Sequence, residues 1–110
     1  MAIVISCDFE IHVGDIGTIF EITLTDCEDI VDVSSANILE LIFKLPDNAE
    51  TILTKTATLV TDGTDGVISY TTIEGDLSIS GKWKLQAQIG FPNSTSWKSD
   101  IASFKVYSNL

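Results

Sequence analysis

One hundred and ten residues, 45% of them hydrophobic, suffice for a single domain with a packed core and are too apolar for a disordered chain. Sixteen acidic residues against six lysines give a formal net charge of −10, which repels phosphate backbones and anionic lipid heads and argues against direct nucleic-acid binding. The longest apolar runs, such as Ile3-Val4-Ile5 and Leu41-Ile42-Phe43, are far too short to cross a bilayer, and no basic and apolar leader precedes them, so neither membrane insertion nor a secretory signal is expected.

In chain order, Ile3, Ile5, Cys7, Phe9, Ile11 and Val13 alternate with polar or smaller residues, the period of a strand with one buried face. They predict one long first strand or two short ones with a bend. Gly14-Asp15-Ile16-Gly17 reads as a turn. Ile16, Phe20, Ile22 and Leu24 then line one face of a second strand. Residues 26–35 form an acidic loop pinned by Ile30, Val31 and Val33. Leu39, Leu41, Phe43 and Leu45 are the core face of a third strand, closed by the Pro46-Asp47-Asn48 turn. The Thr-rich segment 52–61 suits an edge strand, and Asp62-Gly63-Thr64-Asp65-Gly66 is a turn.

Ile68 and Tyr70 point inward from the next strand, and 73–80 has room for one helical turn. The clearest alternation is Trp83, Leu85, Ala87, Ile89 and Phe91 against Lys82, Lys84, Gln86 and Gln88. A last strand carries Phe104 and Val106. Turn signals about every 8–12 residues are the spacing of a β-sandwich. The expectation is all-β: an antiparallel sandwich of about seven strands in one domain over 1–110.

Candidate chemistry is sparse. Asp26, Glu28, Asp29 and Asp32 are dense enough for calcium ligation, but the Asp-x-Asp-x-Asp-Gly order is missing, and a solvated acidic loop is the expected state. Cys7 and Cys27 are read as free thiols, a disulfide between them requiring neighbouring strands. His12 has no partnered nucleophile and is read as a surface residue. Asp15, Asp47, Asp62, Asp65 and Asp76 sit in turns, where Asp bonds its own backbone. No metal, cofactor or catalytic residue is expected. The six lysines at 44, 55, 82, 84, 98 and 105 are scattered along the chain.

Ile38 and Ile42 are a different matter. With Leu39, Leu41 and Phe43 inward, they stand side by side on an outer face, where a loop or another chain covers them. Trp97 raises the same question, because Trp is enriched at interface centres. Ile3 and Ile5 complete the candidate interface set, since the start of the first strand has edge groups able to pair with a neighbour's sheet.

The order of these elements resembles the immunoglobulin-like domain at the N-terminus of phage upper baseplate proteins. The likeness runs from about residue 13 to 107. It is carried by Gly14-Asp15-Ile16-Gly17, Val31-Asp32-Val33-Ser34-Ser35-Ala36, Phe43-Lys44-Leu45-Pro46-Asp47, Asp65-Gly66-Val67-Ile68-Ser69-Tyr70 and Gly81-Lys82-Trp83-Lys84-Leu85-Gln86-Ala87-Gln88. Asn48 stands where that family commonly has Gly, and Trp83 where it usually has Tyr. The resemblance implies a structural protein of a tailed-phage virion, in tail or baseplate, assembled in the host cytoplasm as a symmetric homo-oligomer among other virion proteins. A capsid decoration protein is the alternative within that class. A carbohydrate-binding module, with Trp97 as the sugar platform, is the alternative outside it, and an enzyme is the least supported reading.

Overall fold

The computed structural model describes residues 2–6 and 10–109 and is built from strands, turns and loops. Among the described residues eleven strands follow one another: β1 (Ala2–Ser6), β2 (Ile11–His12), β3 (Ile19–Asp26), β4 (Asp29–Ile30), β5 (Ile38–Lys44), β6 (Ile52–Thr56), β7 (Thr58–Leu59), β8 (Val67–Thr71), β9 (Gly81–Gly90), β10 (Ser96–Lys98) and β11 (Ala102–Tyr107). Seven of them reach five residues or more, which matches the expected number. They form two sheets. The first runs β1-β3-β8-β7, with β4 folded back on β3; the second runs β2-β11-β9-β5-β6, with β10 beside β9. This is the strand order of an immunoglobulin sandwich, a four-strand sheet facing the sheet that contains the hairpin-linked β5 and β6.

The initial segment takes the second of its two expected forms. β1 pairs with β3 in the first sheet, while β2 lies parallel to β11 in the second. The chain therefore crosses between sheets, and the second sheet is mixed rather than purely antiparallel. Cys7 and Phe9, assigned to this strand from the sequence, lie outside the described residues. Between β6 and β7 the chain changes sheets again through buried Ala57, whose N–H donates to Leu39 O at 2.8 Å.

Alternation gives each sheet its buried face. Phe20, Ile22 and Leu24 from β3 and Ile68 from β8 meet Leu41 and Phe43 from β5, Trp83, Leu85, Ala87 and Ile89 from β9, and Val106 from β11. Phe104, half-buried, sits among the rings, its centroid 5.0 Å from Phe20, 5.9 Å from Trp83 and 6.1 Å from Phe43. Trp83 is buried, and its indole N–H donates to Ile79 O at 3.1 Å. An immunoglobulin sandwich places a tyrosine at the start of this strand for the same purpose, its hydroxyl bonding the backbone a few residues upstream. The indole does the work of that hydroxyl, which accounts for Trp at the position.

Two expectations are corrected. Ile16 precedes β3 and is 65% exposed, because the Gly14–Gly17 reversal, with φ of 86° and 88° at its glycines, carries it off the sheet. Residues 73–80 hold a turn and no helix. The turn is closed by Asp76, whose carboxylate accepts from the Ile73 N–H at 3.0 Å and from the Tyr70 hydroxyl, and pairs with Lys55 Nζ at 2.9 Å. Tyr70 comes from the first sheet and Lys55 from the second, so Asp76 clamps the two across the end of the sandwich. Burial pushes its carboxyl up, and the hydrogen bonds from Ile73, Tyr70 and Lys55 with the Lys55 charge bring it below the usual value.

Candidate interaction surface

The outer face of the second sheet can be read row by row from its register. Ile52 of β6 lies opposite Lys44 of β5, Lys44 opposite Lys84 of β9, and Lys84 opposite Ser103 of β11. One row along, Thr54, Ile42 and Gln86 stand abreast; the next holds Thr56, Glu40, Gln88 and Lys98. On the other side of the first row, Lys82 faces Lys105. Ile42, Ile52 and Ile101 converge on a shallow groove bordered by Lys44, Lys84 and Gln86. Ile52 is 53% and Ile101 63% exposed.

The lysines are thus clustered in space, contrary to their scatter in sequence. All six lie on strands of the second sheet, and Glu40 is the single acidic residue on those strands. Lys55 turns inward to Asp76 and Lys98 lines the edge groove with Asp26, while Lys44, Lys82, Lys84 and Lys105 occupy positions that alternate with buried or half-buried ones. The strands of the first sheet carry Glu21, Asp26 and Asp29 and no lysine. Lys44–Lys84 and Lys82–Lys105 are like charges directly opposite each other, an arrangement that destabilises a sheet by roughly 0.2–1 kcal/mol per pair. Partial relief comes from the β5–β6 turn, where Asp47 and Glu50 line the same groove as Lys44, Lys82 and Lys84 and Lys44 reaches Glu50 at 3.4 Å, and from Tyr107, whose ring centroid lies 4.6 Å from Lys105 Nζ.

The opposite charge gathers at the far end of the strands. A tight reversal joins β3 to β4 with Cys27 and Glu28 at φ of 51° and 71°, projecting Asp26, Glu28 and Asp29. The 62–66 loop packs beside it: Leu24 N–H donates to Gly66 O at 2.8 Å and Val33 N–H to Gly63 O at 2.9 Å. Gly66 is required there, because a Cβ would stand 2.8 Å from Val31 O and 2.9 Å from Leu24 O. Asp62 and Asp65 thereby join Asp26, Glu28, Asp29 and Asp32. Hydrogen bonds from Ser34 hold the Asp32 carboxyl below its usual value against the charge of Asp62. Among the described residues no three His, Cys, Asp or Glu side chains converge as metal ligands.

No known protein family and no curated protein sequence matches this chain.

The predicted interface residues do not form one patch. Ile42 is half-buried in the centre of the lysine-bordered groove. Ile38 is on the same outer face but 42% exposed at its end, leaning over Gly90, where an added Cβ would come within 2.9 Å of Ile38 Cδ1. Trp97, 55% exposed, pairs with inward-facing Ile89 and belongs to a separate groove with Asp26, Val31, Phe91 and Lys98 at the sandwich edge. Ile3 lies opposite Leu24 and packs against the core, and Ile5 lies opposite Ile22. β1 thus spends one edge on its own β3. The grouping of Lys44, Lys82, Lys84 and Lys105 with Ile52 and Ile101 on one face is not visible in the sequence, although Lys44, Lys82 and Lys84 read as outward-facing there. The signal existed: each of the four lysines alternates with an inward residue of a core strand. What the sequence lacks is the statement that β5, β9 and β11 lie side by side. His12 is half-exposed, 3.6 Å from Glu10 and beside the Tyr107 ring, and Cys27 is exposed at the β3–β4 reversal.

Proposed function

We propose that this chain is a structural module of a multisubunit protein assembly, held to its neighbours through the outer face of the second sheet. The observation that carries the reading is the concentration of lysines and exposed isoleucines on that one face of a chain whose net charge is −10. Like charges set opposite each other weaken the isolated domain, and a docked partner that neutralises them returns the loss. The isoleucine groove supplies the apolar centre and the lysines the polar rim of such a contact. The motif series that resembles the baseplate immunoglobulin-like domain supports a tailed-phage virion, in tail or baseplate, as the setting. The module works by contact rather than turnover.

The test is incorporation. Wild type and Ile42→Glu, each tagged, are supplied during particle assembly, and purified particles are assayed by mass spectrometry. Wild type is expected in the particles and Ile42→Glu absent from them, with both folded alike by circular dichroism. Particles without the wild-type chain would overturn the reading.

A further inference from the structure

We infer that the partner seated on the lysine face is the acidic end of a second copy of this chain, giving head-to-tail association. The inference rests on the assembly reading above and names the occupant of its surface. Three observations converge on it.

The first is the length of the charge separation. Lys82 and Lys84 lie at the start of β9, and the Asp26–Asp32 and Asp62–Asp65 loops lie beyond its finish, about 25 Å away along the strand. That is well over the Debye length of about 8 Å at physiological salt, so the two patches do not neutralise each other within one molecule. The body is elongated, 46 × 28 × 24 Å.

The second is chemical complementarity. The acidic end carries its own exposed apolar residues, Ile30 at 52% and Val60 at 44%, beside the carboxylates. The basic face carries Ile42, Ile52 and Ile101 beside Lys44 and Lys84. Each surface offers an apolar centre with a charged border, of opposite sign. The third is exclusion of the two-fold alternative. Docking the basic face on itself would bring Lys44, Lys82, Lys84 and Lys105 against their own copies, and like-charge juxtaposition across an interface costs several kcal/mol. A contact between different patches is heterologous and propagates into a ring if the rotation closes, or a filament if it does not.

The experiment is sedimentation velocity at low salt on wild type, on a face variant (Ile42→Glu, with Lys44→Ala/Lys84→Ala as a second) and on an end variant (Asp29→Lys/Asp32→Lys). Wild type is expected to form multimers that grow with concentration and recede with added salt. Each variant alone is expected to be monomeric, its dissociation constant raised about tenfold or more. Mixing face and end variants at equal concentration restores one intact contact and is expected to stop at a dimer. A wild type that stays monomeric, or an end variant that multimerises like wild type, would overturn head-to-tail association. Either result leaves particle incorporation as an independent reading of the module itself.

Discussion

Replacing Lys84 by Glu is expected to stabilise the isolated domain while weakening its assembly. Lys84 stands directly opposite Lys44 on one side and Ser103 on the other. Reversing its charge removes one like-charge cross-strand pair and creates an opposite-charge pair in its place, each step worth roughly 0.2–1 kcal/mol. Two terms oppose the gain. Lys44 already reaches Glu50 at 3.4 Å, and the new carboxylate shares that ammonium. The substitution also makes the chain two units more negative than −10, adding diffuse self-repulsion. The net expectation is a gain of about 0.5–1 kcal/mol at low salt, raising Tm by about 3–6 °C for a domain near this size. The assay is thermal unfolding of dilute protein, followed by circular dichroism at low salt and again at high salt, where screening shrinks the difference. Lys105→Glu, which relieves Lys82, is expected to behave alike. If Lys84→Glu lowers Tm, or raises it equally at both salts, the lysine pairs do not repel across the sheet and the argument from retained repulsion fails.

Three further perturbations test the frame that holds this surface. Asp76→Ala leaves the Lys55 ammonium and the Tyr70 hydroxyl without their acceptor at a nearly buried site, and is expected to cost about 3 kcal/mol in urea unfolding. Adding Lys55→Met is expected to recover part of that, and a loss below about 1 kcal/mol for the single change would show the clamp to be ornamental. The same site sets a pH dependence. The folded Asp76 carboxyl lies below its unfolded value of 3.8, so its contribution is complete above about pH 4 and is lost as pH falls through the folded value. Burial and the Asp76 hydrogen bond raise the Tyr70 hydroxyl, so the fold also loses stability as pH climbs above about 10, where the unfolded tyrosine ionises first. Urea midpoints across pH read both limbs, and Asp76→Ala is expected to flatten the acid one. Trp83→Phe removes the indole bond to Ile79 O and opens a void in the core, for an expected loss of about 2–4 kcal/mol, whereas Trp83→Tyr is expected to keep part of the corner and lose less.

The long strands were legible because their alternation is strong and their turns are marked. Phe20, Ile22 and Leu24, then Leu41 and Phe43, then Trp83 to Ile89, all bury the side that the period assigns. The outward placement of Ile38 and Ile42 followed from the same rule. Elements of two or three residues were not legible. β4 and β7 exist because a neighbour offers backbone partners, and β2 belongs to the second sheet because β11 runs beside it; no local pattern encodes that. The 73–80 segment failed for a related reason. Its Glu-Gly-Asp sequence satisfies a helical turn or a simple reversal, and the choice is made by Tyr70 of the preceding strand together with Lys55, which is distant in sequence and reaches Asp76 only after the sheets pack.

The lysine face shows the same limit at the level of function. Counting charges along the chain places Lys44, Lys82, Lys84 and Lys105 up to 61 positions apart, so they read as scattered. Antiparallel pairing of β5 with β9 and of β9 with β11 folds those positions into adjacent ranks, and a single sheet receives every lysine in the chain. The six acidic residues of the far loops are then left on the other side of the charge separation, held together by Gly66 and its close backbone contacts. A chain of net charge −10 resists association in general, since copies repel at long range. The proposed head-to-tail contact sets the acidic end against the lysine face, where short-range attraction and apolar contact act together. Repulsion everywhere else is what gives that one orientation its selectivity.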